Sequence, residues 1–218
     1  GWKYDLGCYG PEDDNEMAAS REEKNGWTTY DPSSDTNIIY VSSSLGNDNW
    51  NGVAPDWNGE DGPVKSVAKG YALVRSGYPD WILFKRGDTW REVLGQWQKS
   101  GKSETEPMVI ASYGSSTERP KFEFSSQTWF SSGGTLQYLS ILGLHAYAYT
   151  KDPKHEEFTA VSSAAVSWLA FGGNWLLEDN KFEYSAVHVQ GSPTLPIELR
   201  RNILTDNYSV NSHAQSIF

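Results

Sequence analysis

Two stretches near the C-terminus repeat one pattern of apolar and polar residues. Residues 177–182 (LEDNKF) align with residues 199–204 (LRRNIL), 22 positions later along the chain. Each copy has an apolar residue, two polar residues, an asparagine, a variable residue and an apolar residue. A repeat of about 22 residues with a recurrent asparagine is typical of one coil of a right-handed parallel β-helix. The pattern therefore predicts an all-β fold of that class.

Short apolar runs predict more strands upstream of this repeat. The runs are NIIYVS at 37–42, WILFK at 81–85, MVIAS at 108–112 and PKFEF at 120–124. They are rich in β-branched and aromatic residues, and turn residues such as glycine, proline and aspartate separate them. Residues 90–97 are also expected to be extended.

One segment has helical rather than strand periodicity. Asp61 and Pro63 suit the start of a helix, and Gly77 suits its end. Apolar residues recur between them at helical spacing. We expect an amphipathic helix over about 63–76 that caps the open end of the β-helix and hides its edge backbone groups.

These elements divide the chain into two parts. Residues 1–36 are acidic, polar and rich in aromatic residues, and we expect irregular structure there. Residues 37–218 form the predicted β-helix domain with its capping helix. Because Phe218 falls inside a predicted strand, we expect this domain to continue beyond the end of the chain.

Charge and composition exclude some classes of partner. The formal net charge is −10, and residues 1–60 alone carry 12 acidic and 3 basic residues, which argues against nucleic acid as a partner. No run of about 18 apolar residues predicts a membrane span. The chain has 10 Trp and 12 Tyr, residues that fill β-rich cores and also cover the flat faces of sugar rings.

An asparagine-rich loop raises the question of calcium. Asn47, Asn49 and Asn51 precede Gly52 with the oxygen spacing of the first half of a calcium loop. Apart from Asp48 these side chains are neutral amides, which favours a loop held by asparagine hydrogen bonds. A bound Ca²⁺ ion stays open as the alternative, and we predict no metal-ligand residues.

Successive side chains of a strand point to opposite faces, which distinguishes inward structural residues from outward ones. Leu144, Asn180 and Asn202 take equivalent places in three successive coils. An asparagine ladder at an inward bend satisfies backbone groups that would otherwise be buried without partners, so we expect Asn180 and Asn202 to be structural.

Several segments resemble bacterial right-handed parallel β-helix repeat proteins of the pectate-lyase-like superfamily. They are IYVSSSLGNDNWNG, GPVKSVAKGYALV, DWILFKRGDTW, SGKSETEPMVIASYG, NWLLEDNKFEYSAVHVQ and RRNILTDNYSVNSHAQSIF. The resemblance is specific for fold and covers residues from about Trp27 to Phe218. Its wider superfamily includes polysaccharide lyases, polygalacturonase-like hydrolases and phage tailspikes.

Lyases of this fold need a base and a cation beside the uronate carboxylate, whereas hydrolases need two carboxyl groups. Our catalytic candidates are His213 beside Asp206, together with His188 and Arg201. His145 and His155 are weaker candidates. For substrate binding, the candidates are Glu178, Lys181, Arg200, Tyr147 and Tyr149.

The resemblance implies a polysaccharide or glycan partner and an extracellular or cell-surface location, with the periplasm or a virion as variants. We expect either a polysaccharide lyase or hydrolase acting on acidic glycans, or a non-catalytic glycan-binding or structural β-helix. The second alternative includes homo-oligomeric appendages and tailspikes.

Overall fold

Parallel sheets make up most of this computed structural model, which describes residues 22–24, 26–125, 128–132, 135–159, 165–191 and 196–207. The first strands are β1 (Glu22–Lys24), β2 (Trp27–Thr29), β3 (Ile38–Val41), β4 (Trp81–Lys85), β5 (Thr89–Trp90), β6 (Gly95–Trp97), β7 (Met108–Tyr113) and β8 (Lys121–Phe124). The later strands are β9 (Phe130–Ser132), β10 (Gln137–Leu142), β11 (His145–Ala148), β12 (Ala165–Glu178), β13 (Lys181–Glu183), β14 (Ser185–Gly191), β15 (Ile197–Arg200) and β16 (Ile203–Thr205). The prediction of an all-β fold class is therefore confirmed.

The strands form three parallel rows and one antiparallel hairpin. One row runs β3, β4, β7, β10, the second half of β12, then β15, and another runs β5, β8, β11, β13, β16. A third contains β6, β9, the first half of β12, then β14. Only β1 and β2 pair antiparallel in the described part of the chain.

Register explains the predicted repeat of 22 residues. Leu177 of β12 pairs with Leu199 of β15, and Lys181 of β13 pairs with Ile203 of β16. Asp179 and Arg201 both have left-handed backbone, with φ of 60° and 51°, and so lie in equivalent turns. The repeat therefore marks neighbouring strands with the same bend between them.

Apolar residues at matched register positions form the core. The aliphatic stack of Ile39, Ile82, Ile110, Ile141 and Leu177 runs through five neighbouring strands, and all five side chains are buried. Burying each large apolar side chain contributes about 1.5–3 kcal/mol. Such a column favours this register, because a shift by one residue would exchange these side chains for those of the opposite face of the strands.

Aromatic rings fill the core side of the second row. Trp90, Phe122 and Phe182 point inward from β5, β8 and β13, and Trp129 lies between the last two rings. Because these rings alternate with polar neighbours, the residues on either side of them project away from the core.

The helix is shorter than predicted. Helix α1 spans Val67–Leu73, and Ser66 is its N-cap, accepting a hydrogen bond from the Lys69 amide. The predicted first turn is extended, since Val64 forms a parallel bridge with Val41. Asp61 is not a cap; its carboxylate accepts hydrogen bonds from two backbone amides of the 47–62 loop.

The N-terminal segment is more ordered than expected. Strands β1 and β2 pair as a hairpin, so the prediction of irregular structure is wrong for residues 22–24 and 27–29. Tyr30 is buried after the hairpin, and its hydroxyl lies 2.8 Å from the Ser140 hydroxyl on β10. The hairpin thus belongs to a segment packed on the outer side of the first strand row. In the described ranges, no helix has the length and hydropathy needed to cross a membrane.

Candidate acid–base site

Three neighbouring strands present similar outward side chains on one face of the molecule. Strand β8 carries KFE at 121–123, β11 carries HAY at 145–147 and β13 carries KFE at 181–183, all in register. The middle residue of each triplet is buried, so the flanking residues project outward. We call this surface the charged face, and its six residues are Lys121, Glu123, His145, Tyr147, Lys181 and Glu183.

Hydrogen bonds link the side chains of the charged face. Lys121 Nζ lies 2.9 Å from Glu123 Oε1, and Lys181 Nζ lies 2.9 Å from Glu183 Oε2. His145 Nε2 lies 2.8 Å from that same Glu183 oxygen. His145 therefore lies between two strands that each carry a lysine and a glutamate.

The electrostatic surroundings keep His145 neutral. Burial and the nearby Lys181 lower its pKa and Glu183 opposes them, and the net result is a pKa of about 4. Burial raises the pKa of Glu183, but hydrogen bonds and charge from Lys181 and His145 outweigh it and lower the pKa overall. An ionised carboxylate can only accept a hydrogen bond, so Nε2 carries the proton and Nδ1 is the basic nitrogen.

A loop forms one wall beside the charged face. It starts with the 3-10 helix Tyr149–Lys151 and is held to the strands by the Tyr147 hydroxyl, which donates to Asp152 at 2.7 Å. Arg91, next to β5, reaches the loop through Glu157 at 2.9 Å. The loop is therefore attached at both of its ends.

Two tyrosines of this wall keep their protons. Burial raises the pKa of Tyr147, and the Asp152 carboxylate raises it further. The same two causes raise the pKa of Tyr184 to about 12. Both hydroxyls are therefore hydrogen-bond donors at neutral pH rather than bases.

Three of the predicted substrate-binding residues lie in this region. Lys181 and Tyr147 belong to the charged face, and Tyr149 is in the adjoining wall. Asp206 follows β16 at an exposed position whose backbone φ is 56°, one strand beyond Tyr184. Its suggested partner His213 lies outside the described residues, so that pairing stays a prediction.

The other predicted residues lie elsewhere. His188 is in β14 of the third strand row, paired in register with Trp168. Glu178 was expected to point into solvent, but it is only 2% exposed. Its carboxylate accepts hydrogen bonds from Arg201 and from the Thr28 amide of the β1–β2 hairpin.

The hairpin also contacts Arg200 and Arg201, which were predicted as a substrate-binding and a catalytic residue. Arg200 forms an ion pair with Glu23, and the Arg201 guanidinium lies 4.8 Å from the centre of the Trp27 ring. We call Glu178, Arg200 and Arg201 the covered cluster. These contacts attach the hairpin to the strands, and the expected outward placement of Glu178 is wrong because the hairpin lies on it.

The two asparagines form a ladder of amide hydrogen bonds. Asn180 accepts from the Leu144 amide and donates to the Ile141 carbonyl, at 3.1 and 2.8 Å. Asn202 accepts from Asn180 and donates to the Leu177 carbonyl at 2.8 Å. Asn180 is fully buried, and these bonds satisfy its amide and the backbone groups at the bend.

Side-chain oxygens of the asparagine-rich loop have hydrogen-bond partners within the protein. Within the described ranges, no group of three or more His, Cys, Asp or Glu side chains is placed to hold one. In the asparagine-rich loop, Asp48 accepts from the amides of Lys65 and Ser66, and Asn47 accepts from the Asn49 amide. These side-chain oxygens already hold the loop together through hydrogen bonds.

Lys121 and Glu123 were not among the predicted site residues, and His145 was only a weaker catalytic candidate. The signal was present, because KFE occurs at 121–123 and again at 181–183. Finding it required knowing that β11 lies between these copies, and the 22-residue repeat does not extend that far upstream.

Comparison with known proteins identifies no family. No family model matches the chain, and no curated protein matches it. Among solved structures, a rhamnogalacturonan lyase is similar, with a TM-score of 0.45 and 16% sequence identity. The match covers 81% of this chain and 43% of that one, so the chain spans less than half the length of that lyase.

Proposed function

We propose that this chain is a right-handed parallel β-helix that binds acidic polysaccharide on its charged face. The three parallel strand rows, the asparagine ladder and the equivalent turns 22 residues apart all support that fold. A stack of short parallel strands offers a long, rigid surface, which suits a polymeric ligand better than a small molecule. The proposed location is extracellular or at a cell surface, where such polymers occur.

The observation that carries the proposal is the setting of His145. This neutral imidazole lies between lysine-bearing strands, and Glu183 fixes its orientation through a 2.8 Å hydrogen bond. Neighbouring parallel strands are about 4.8 Å apart, so Lys121 and Lys181 flank the histidine at close range. A base with cations on either side is the arrangement that β-elimination from a uronate requires.

The chemistry follows from these positions. Lys121 and Lys181 stabilise the uronate carboxylate and the negative charge that develops beside it. His145 Nδ1 takes the proton from C5, and the C5–H electron pair forms the C4–C5 double bond. The bond from C4 to the glycosidic oxygen then breaks, and the leaving oxygen takes a proton from solvent. The products are an unsaturated uronate and a shortened chain.

The test is a screen of uronate polymers, which includes homopolymers and polymers that alternate acidic and neutral sugars. Binding is measured by affinity electrophoresis, and elimination by the ultraviolet absorbance of the unsaturated product. We expect binding of at least one acidic polymer with release of absorbing product. Absence of binding to every acidic polymer would overturn the proposal.

A second candidate function is non-catalytic glycan binding. Trp57 is 54% exposed and stacks on Trp50, with ring centres 4.7 Å apart. Such a fixed, exposed aromatic surface suits the apolar face of a sugar ring. Under this alternative, Trp57→Ala weakens glycan binding and His145→Ala leaves it unchanged, with no product formed by either protein.

A further inference from the structure

A cavity of about 380 Å³ lies beside the charged face. Arg91, Glu92, Glu123 and Ser125 contribute polar groups to its lining, and Tyr149 contributes an aromatic ring. Its volume falls within the range of about 300–1,000 Å³ that is usual for small-molecule sites. Because Glu123 belongs to both the cavity and the charged face, one glycan chain can occupy both.

The charges of the lining disfavour a second acidic sugar in this cavity. Arg91 supplies one positive charge, and Glu123, 3.6 Å away, already faces it. Glu92 adds another carboxyl group, and burial raises the pKa of that group. The lining thus holds one cation and two carboxyl groups, whereas the charged face holds two of each, so a uronate carboxylate is less favoured here than on the charged face.

The same groups suit a neutral sugar rich in hydroxyls. The guanidinium of Arg91 can donate several hydrogen bonds to a sugar. One oxygen of Glu92 already accepts from the Val67 amide at 3.0 Å and one oxygen of Glu123 pairs with Lys121, which leaves one oxygen of each glutamate to accept from hydroxyl groups. Arg91 is already held in place by Glu157 at 2.9 Å and by the Tyr149 ring at 4.9 Å. A held side chain loses little conformational freedom when the ligand binds, which favours affinity.

We propose that the cavity is a subsite for a neutral sugar residue next to the acidic residue on the charged face. The proposal rests on the proposed function, because it needs an acidic sugar beside Lys121 and Lys181. It narrows the substrate class to heteropolysaccharides that alternate acidic and neutral units. Arg91 is then a specificity residue that touches the neutral unit.

The experiment measures affinity by isothermal titration calorimetry with three tetrasaccharides. Tetragalacturonate has only acidic units, whereas fragments of hyaluronan and of the rhamnogalacturonan backbone alternate acidic and neutral units. We expect at least one alternating fragment to bind about tenfold more tightly than tetragalacturonate. Arg91→Ala should remove this preference by weakening only the alternating fragment, and Glu92→Gln should weaken it in the same direction.

Lys65→Gln is the matched control, since Lys65 is an exposed cation outside the cavity and should leave every affinity unchanged. If tetragalacturonate binds wild-type protein as tightly as both alternating fragments, the subsite is overturned and the proposed function stands. An equal loss for all ligands in Arg91→Ala also overturns it. If no acidic tetrasaccharide or polymer binds, the proposed function fails and the subsite fails with it.

Discussion

The charged face and the covered cluster contain the same kinds of residue in the same kind of place. Both have cationic and anionic side chains stacked on neighbouring parallel strands. In the covered cluster, the β1–β2 hairpin contacts all three residues and leaves Glu178 only 2% exposed, while the side chains of Arg200 and Arg201 are 21% and 37% exposed and are engaged by the hairpin. On the charged face, His145, Lys181 and Glu183 have side-chain exposures of 15%, 29% and 23%, so a ligand can reach them.

This difference shows that stacked charges do not by themselves indicate a binding site. What lies over them decides whether they stabilise the fold or remain accessible. Changes on the charged face should therefore alter activity and binding, whereas changes in the covered cluster should alter stability.

The largest effect should come from the base of the charged face. His145→Ala removes the group that accepts the C5 proton, so elimination should slow by about 10²–10⁴-fold. Initial rates of product absorbance measure this loss, and calorimetric binding of the same polymer serves as the control. Full activity in His145→Ala would show that the charged face is not the site of chemistry.

Glu178→Ala should have its main effect on folding. Removing this buried carboxylate leaves the Thr28 amide and Arg201 without their acceptor. Arg201 is 37% exposed, and solvent partly replaces the lost partner, so we expect a loss of about 2–3 kcal/mol in unfolding free energy.

Urea denaturation measures this change, and Glu157→Ala is the matched control. Glu157 is 43% exposed in its ion pair, and its loss should cost less than about 1 kcal/mol. Similar losses in both variants would contradict the assignment of the covered cluster to stability.

The pH dependence of stability tests whether the charged face holds His145 neutral. Unfolding frees His145 to bind a proton with an ordinary pKa of 6.5, whereas burial holds its folded pKa at about 4. Its stabilising contribution is therefore complete above pH 6.5 and is lost as the pH falls to about 4. We expect a decrease of about 1–3 kcal/mol across this window.

His145→Gln should flatten this part of the pH profile, because glutamine does not titrate and can still donate to Glu183. Denaturation at a series of pH values compares the variant with wild-type protein. An unchanged slope between pH 6.5 and 4 would mean that His145 is not held neutral by its surroundings.

The sequence predicted much of the fold but only part of the site. Continuous apolar runs located β3, β4 and β7, and the alternation of apolar and polar residues in KFEF located β8. The equivalence of Asn180 and Asn202 followed from their spacing, since equal spacing places residues in equivalent turns.

The role of the hairpin could not be predicted from sequence. Nothing in residues 22–29 indicates that they pack on strands some 150 positions later, so Glu178 and Arg201 looked like surface charges. The pairing of His145 with Glu183 also depends on long-range register, because residues 149–180, which include strand β12, separate β11 from β13 along the chain. Local sequence patterns do not indicate which strands pair when they are far apart along the chain.

A smaller effect should come from the two lysines of the charged face. Lys121→Met and Lys181→Met each remove one cation, so affinity for an acidic polymer should fall about tenfold per substitution. Calorimetry at low and high salt measures this, and added salt should weaken wild-type binding more than that of the variants. Equal salt dependence in all three proteins would argue against contact between these lysines and the ligand.

The most direct test of the account is a lysine footprint of the bound protein. Acetylation rates are measured by mass spectrometry with and without the tightest-binding acidic polymer. We predict that Lys121 and Lys181 are protected by the polymer and that Lys65 and Lys102 react as before. Protection of Lys65 or Lys102 with unchanged rates at Lys121 and Lys181 would contradict the claim that the charged face binds polysaccharide.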